Sequence, residues 1–222
     1  MDYSEIRRIA RDNLQGNYWQ SVAVAFVAAI FGALVTSSSI NIDFDAELLQ
    51  QLPPYVKKIL IIAGGAAGTL SLVQLILGGT VQLGYTNYLL KQYNHATLDI
   101  KDLFSQFDRF KEGFLQHLLR SLYTLLWTLL FIIPGIIKSL SYSMTPFIMA
   151  ENPDMTASEA IKASQKLMDG HKGDLFMLGL TFIGWNLLCI LTAGIGCFFL
   201  NPYMNAAYAA FYKEIAAPRS EI

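Results

Sequence analysis

Four stretches of the chain are apolar nearly all round: 22–40, 59–90, 118–150 and 175–212. A helix on a soluble globule keeps its apolar residues to one stripe, so runs like these predict helices held in a bilayer. About 20 helical residues cross a hydrocarbon core about 30 Å thick. The first run fits one crossing at 21–40, and the second, 59–90, is too long for one and has to tilt, kink or emerge. The third is divided by Pro134-Gly135 and predicts a hairpin with arms 118–134 and 135–150. Its alternative is one kinked span whose end, from Ser141 to Thr145, lies outside the lipid. The fourth is divided at Gly194-Ile195-Gly196 and predicts spans 175–193 and 195–212, the latter kinked at Pro202. The pattern predicts an all-α, polytopic transmembrane helical bundle. It is a single integral membrane domain over 1–222, with about six membrane segments plus short amphipathic cytosolic helices.

The segments between these runs read differently. Ile6, Ile9, Leu14 and Tyr18 recur at near-helical spacing beside Arg7, Arg8 and Arg11, and Asp2-x-x-Glu5 resembles a capping box, so residues 1–20 predict a short helix on the membrane surface. Basic residues before an apolar run also describe a signal peptide, yet no A-x-A site follows, and an uncleaved first span is expected. Residues 41–58 form a polar loop broken by Pro53-Pro54. Within the second run Gly64-x-x-x-Gly68 predicts close helix packing. Leu103, Phe107, Phe110, Phe114 and Leu118, with Lys101, Arg109, Lys111 and His117 among them, predict an amphipathic helix in the headgroup layer, started at Asp99 and Asp102. In 151–174, Asn152-Pro153-Asp154 turns the chain, Thr156-x-x-Glu159 is a capping box, and Gly170 ends the helix.

Charge sets the orientation. Of 16 Lys and Arg residues, thirteen fall in 1–20, 91–120, 151–174 and 213–222, two in 41–58, and the last is Lys138. The positive-inside rule then places both termini in the cytosol. A five-span chain with an unbroken third run would separate the lysines of 151–174 from the basic residues of the C-terminus, which favours the hairpin. Only 15% of residues are charged, 16 basic against 17 acidic, and no basic patch interleaved with aromatics occurs, so nucleic acid is excluded as a partner. Cys189 and Cys197 lack C-x-x-C spacing and read as packing residues.

Polar residues inside the runs fall on stripes, which lipid would penalise, so they are expected to point inward. The candidates are Gln74, Gln82, Lys138, Tyr142, Asn186, Asn201 and Asn205. Such stripes serve as interhelical hydrogen bonds or as the lining of a solute path. Lys138 is the one formal charge between Arg120 and Glu151; three residues past Pro134-Gly135, it either anchors at the outer headgroups or faces a polar interior. Pro134, Gly135, Pro146, Gly170 and Pro202 are the expected structural positions. No catalytic or metal-binding constellation emerges: His95, His117 and His171 lack a carboxylate or cysteine at ligand spacing, and no H-E-x-x-H, G-x-S-x-G or phosphate loop occurs. No cofactor is expected.

Taken in order, Ile133-Pro134-Gly135-Ile136-Ile137-Lys138, Tyr142-Ser143-Met144-Thr145-Pro146, Glu159-Ala160-Ile161 with Ser164, Met168-x-Gly170-His171-Lys172, Phe182-Ile183-Gly184-Trp185 and Pro202-Tyr203 resemble the domain of unknown function 975 family. The resemblance extends over nearly the whole chain, including the Arg-rich start and Gly16-Asn17. It implies a bacterial integral membrane protein of the cytoplasmic membrane and carries over no activity and no functional residue. The expectation is a non-enzymatic component that meets the lipid bilayer and a membrane-protein partner or a second copy of itself. A small-solute or ion transporter or channel using the polar stripes is the alternative, and a lipid-modifying enzyme has the least support.

Overall fold

The computed structural model describes residues 2–30, 76–192 and 195–217, and among these the regular structure is helical throughout. The loop 41–58, the Gly64 and Gly68 pair, Gln74 and the turn residues 193–194 lie outside the described residues. In chain order the helices are α1 (Tyr3–Leu14), α2 (Tyr18–Ile30), α3 (helical over 76–93), α4 (Phe110–Leu130), α5 (Ile132–Tyr142), α6 (Thr145–Glu151), α7 (Ala157–Leu167), α8 (Lys172–Leu180), α9 (Ile183–Leu191) and α10 (Ile195–Ala216).

Helix α3 is the hub. Val81, Leu83, Tyr85, Tyr88, Leu89 and Leu90 are all buried, and so are Thr80, Gln82, Thr86 and Gln92, leaving it covered on nearly every side. Glycine lets its neighbours come close: a Cβ on Gly79 would stand 2.1 Å from the carbonyl oxygen of Gly113 in α4. A 3₁₀ turn, Ile100–Phe104, packs on the other flank, closed by a reciprocal Asp99 and Asp102 capping box and tied back by Lys91 Nζ to Asp102 Oδ1 at 2.6 Å.

The hairpin exists, but its turn lies elsewhere. The helical path breaks at Phe131, whose extended backbone caps both arms, and Pro134 and Gly135 sit inside the first turn of α5. Proline needs no amide donor there and its fixed φ suits a helix start, so the dipeptide opens a helix instead of breaking one. Gly135 serves the arms: a Cβ on it would lie 2.3 Å from Thr128 Oγ1. The second arm is also shorter than 135–150. It ends at Tyr142, and Pro146 starts the separate α6.

Three further expectations are corrected. The amphipathic stretch from Leu103 to Leu118 is not one helix: two 3₁₀ turns precede Phe110, and the rest is continuous with the apolar α4. Helix α1 does form, with Asp2 accepting from the amide of Ser4, but Ile6, Ala10 and Leu14 are buried in the protein core, and α1 packs along α10, so this face is not left for lipid. Residues 175–193 divide at Thr181-Phe182 into α8 and α9.

Among the described residues no helix is long and apolar enough to cross a membrane. The reasons are local. Helix α4 has 21 residues but begins with Lys111 and Glu112, α10 has 22 but carries Asn201, Pro202 and Asn205, and α5, α8 and α9 have 11, 9 and 9.

The polar segments gather at one end. Tyr3 donates to Asp174 (3.1 Å), Tyr212 to Glu151 (2.7 Å), Arg109 to the carbonyl of Met149 (3.1 Å), and the amide of Ala157 to Glu112 (3.2 Å); Lys213 pairs with Glu151. These bonds join residues from 1–20, 91–120, 151–174 and 213–222, the segments that charge counting grouped. Glu214 lies in this cluster: burial first, and the charges of Glu5, Asp174 and Asp2 after it, push its carboxyl up.

Helix α7 is built as its sequence reads. The Thr156 hydroxyl accepts from the Glu159 amide, Glu159 reaches back to the Thr156 amide at 2.9 Å, and Gly170 takes φ +81 just beyond the helix. Thr156→Ala should lower the unfolding free energy by about 1 kcal/mol, read as a shift in the denaturation midpoint. An unchanged midpoint would show that the buried face of α7 holds without its cap.

Candidate functional site

The interior of the bundle is unusually polar where α4 meets α3. Gly113, Gln116, His117 and Arg120 follow one another at steps of three, one and three, which puts them on one face of α4. Gly113 touches Thr80 and His117 lies over Gly79, so this face looks at α3. Arg120 donates to Gln82 Oε1 at 3.2 Å. Gln82 is 2% exposed. No carboxylate pairs with Arg120 among the described residues, so its charge is met by an amide dipole.

Gln116 is fully buried, and neither its Nε2 nor its Oε1 has a hydrogen-bond partner among the described residues; the same is true of His117 Nδ1. Burial, and after it the charge of Arg120, pulls the His117 imidazole down to about 4, so it is neutral at pH 7. A neutral imidazole, a two-ended amide and a guanidinium together offer both donors and acceptors to a small polar guest. They offer no nucleophile with an adjacent base.

Two other polar groups surround α3. Gln92 Nε2 donates to Ser21 Oγ at 2.9 Å, and Ser21 lies 3.2 Å from the Tyr88 hydroxyl, joining α2 to α3 inside the core. Tyr85 faces Asn205 of α10, and Asn205 donates to the carbonyl of Asn201 at 2.8 Å.

The sequence candidates scatter around this centre. Gln82 and Asn205 are in the interior and Asn201 is half-buried. Tyr142 is buried, its ring 6.2 Å from Tyr123 across the hairpin. Asn186 is exposed and bonds the carbonyl of Phe182 on its own helix, so it lines no interior. Lys138 stands seven residues from Phe131, and its Nζ lies 5.0 Å from the centre of the Trp127 ring, a cation–π contact between the hairpin arms.

Arg120, Gln116 and His117 were missed because their segment reads as a surface helix. The signal available was the spacing of Gly113, Gln116, His117 and Arg120 itself. His171 was also misjudged: its Nδ1 lies 3.1 Å from Asp174 Oδ2, three residues on, and Asp174 accepts from Tyr3 as well. The bond from His171, aided by Tyr3, holds the Asp174 carboxyl below its usual range. This clamp is therefore intact above the ordinary range of an aspartate and is lost as pH falls through the depressed one. Among the described residues no group of three or more His, Cys, Asp or Glu is placed to hold a metal ion.

Neither the curated proteins nor the solved structures contain a match to this chain. Residues 129–219, from the end of α4 through α10, match the model of the family described as protein of unknown function (DUF975). All the motifs from Ile133 to Tyr203 fall within the match, whereas the Arg-rich start and Gly16-Asn17 precede it. Over residues 129–219 the chain is similar to the DUF975 family.

Proposed function

We propose that the chain is a non-catalytic component of the cytoplasmic membrane, seated by its apolar half, with its polar end turned to the cytosol and open to a partner protein. The observation that carries this is the contrast between the two parts of the fold. Polar segments converge at one end, while large apolar side chains stay exposed elsewhere: Leu129 (84%), Phe131 (66%) and Ile133 (72%) around the hairpin turn, Ile183 (49%) and Leu187 (61%) on α9, and Phe198 on α10. Water does not favour so much exposed apolar area, and surfaces of this kind mark membrane or protein contacts. Helix α4 runs about 31 Å and α10 about 33 Å, comparable to a hydrocarbon core, even though neither is apolar throughout. At the polar end α7 exposes Ser158, Glu159, Lys162 and Lys166, a charged face suited to a partner.

The test combines residence, sidedness and partner. Membranes washed with alkaline carbonate should retain the chain. With Cys189 and Cys197 replaced by alanine, Lys166→Cys should react with an impermeant maleimide only after the cells are opened. Release by carbonate, or labelling of intact cells at 166, would overturn the reading. Reversing the charges of Glu159, Lys162 and Lys166 should remove a protein that co-purifies in mild detergent. An unchanged set of co-purifying proteins would refute the partner role.

A transporter or channel is the second reading, favoured by the amide of Gln116, without a partner among the described residues, beside His117 and Arg120. It requires solute or ion flux in proteoliposomes that Arg120→Met abolishes; wild-type liposomes without flux would exclude it.

A further inference from the structure

A groove of about 760 Å³ runs between α1, α9 and α10. Its walls and its rim differ. Trp185, Phe199, Leu200 and Tyr203 supply apolar and aromatic surface, and Arg7 and Arg11, one helical turn apart on α1, stand at its edge. Among the described residues no acidic side chain lines it. Arg7 donates its Nε to the carbonyl of Tyr3 at 3.3 Å; no carboxylate pairs with Arg7 or Arg11 among the described residues, whereas the neighbouring Arg8, outside the groove, is bridged to Glu5.

We infer that this groove holds one anionic phospholipid, its phosphate between Arg7 and Arg11 and an acyl chain along Trp185, Phe199 and Leu200. Two guanidinium groups with free N–H donors match a phosphodiester, which offers them two unesterified oxygens, and their joint charge selects an anionic headgroup over a zwitterionic one. The apolar wall selects a chain-bearing ligand over a free anion, because a free phosphate would leave that surface wet. The cavity has room for a headgroup and part of one chain. Tyr203 of α10 donates to the carbonyl of Arg7 in α1 (3.4 Å), and Tyr18 at the start of α2 donates to the carbonyl of Phe199 in α10 (3.1 Å), so the charged rim and the apolar wall are held together before a lipid arrives.

This site rests on the membrane reading, yet it can fail while that reading stands, since residence is judged by carbonate extraction and the groove by lipid retention on the purified chain. In native mass spectrometry from detergent, the full chain incubated with phosphatidylglycerol should retain one molecule. Phosphatidylcholine of the same chain length should bind about tenfold more weakly. Arg7→Gln with Arg11→Gln should bring phosphatidylglycerol down to that level, Arg8→Gln should leave it unchanged, and excess inorganic phosphate should not displace it. Equal retention of the two lipids, or an equal loss with Arg8→Gln, would reduce the effect to general charge and overturn the site. Displacement by phosphate alone would make it a free-anion site and overturn it too. Should the double variant fail to fold, the Trp185 emission of a Trp19→Phe, Trp127→Phe protein decides. Brominated phosphatidylglycerol should quench it saturably and at lower mole fraction than brominated phosphatidylcholine, and equal quenching refutes the site.

Discussion

Replacing Gln116 with methionine should make the folded chain more stable, by about 1–2 kcal/mol, seen as a rise of several degrees in the melting midpoint of the detergent-purified protein. The direction is opposite to that of most core substitutions. Gln116 is fully buried with both amide ends unpartnered among the described residues, so folding strips water from a donor and an acceptor without returning a bond. Methionine has nearly the same length and volume, keeps the packing against α3, and removes that cost. A lower midpoint would mean that the amide is bonded in the folded protein and that the polar face of α4 is structural. A higher midpoint with loss of any flux would identify Gln116 as a group kept at the expense of stability, the pattern expected of a working site.

Where local signals decide structure, the sequence was legible. The Thr156 and Glu159 box and the Gly170 stop depend on atoms within three or four residues, and both appear at the expected positions; Asp99 and Asp102 do cap a helical start, but of a 3₁₀ turn instead of the expected amphipathic helix. What failed was reading proline and glycine as breakers at 134 and 135. Their effect depends on where in the helix they stand, and a proline in a first turn favours the helix that follows. The interior of α4 was illegible for another reason. His117 and Arg120 look solvent-exposed when the chain is scanned alone, and only the close approach of Gly79 to Gly113 brings His117 over Gly79 and Arg120 to Gln82. Lys138 was conspicuous as a lone charge, but its partner, Trp127, could be found only once the hairpin turn was placed at Phe131. Asn186 shows the converse, a polar residue on an apolar helix that satisfies itself on the preceding turn and faces outward.

The greatest loss of stability should come from the smallest change, Gly84→Ala, at about 3 kcal/mol and a midpoint lower by about 6–12 °C. A Cβ at 84 would stand 1.9 Å from the carbonyl oxygen of Leu103, 2.5 Å from its carbon and 3.1 Å from the oxygen of Asp102. These atoms are backbone, so no rotamer change can make room. The 3₁₀ turn that carries them is held on three sides: Leu103 is fully buried, Lys91 grips Asp102 at 2.6 Å, and Gln20 of α2 donates to the carbonyl of Leu98 just before the turn at 3.1 Å. Relief therefore requires α3 to move away from the turn or the turn to detach with Asp102, and either disturbs the helix that carries Gln82 and Gln92 and that the polar face of α4 packs against. Gly179→Ala supplies the control. Its Cβ meets nothing within 4 Å and the site is helical, so alanine should be neutral or slightly stabilising there, by less than about 1 kcal/mol. Equal melting midpoints for the two variants would show that α3 and the turn have room to part, and that the central helix is not clamped as its glycines imply.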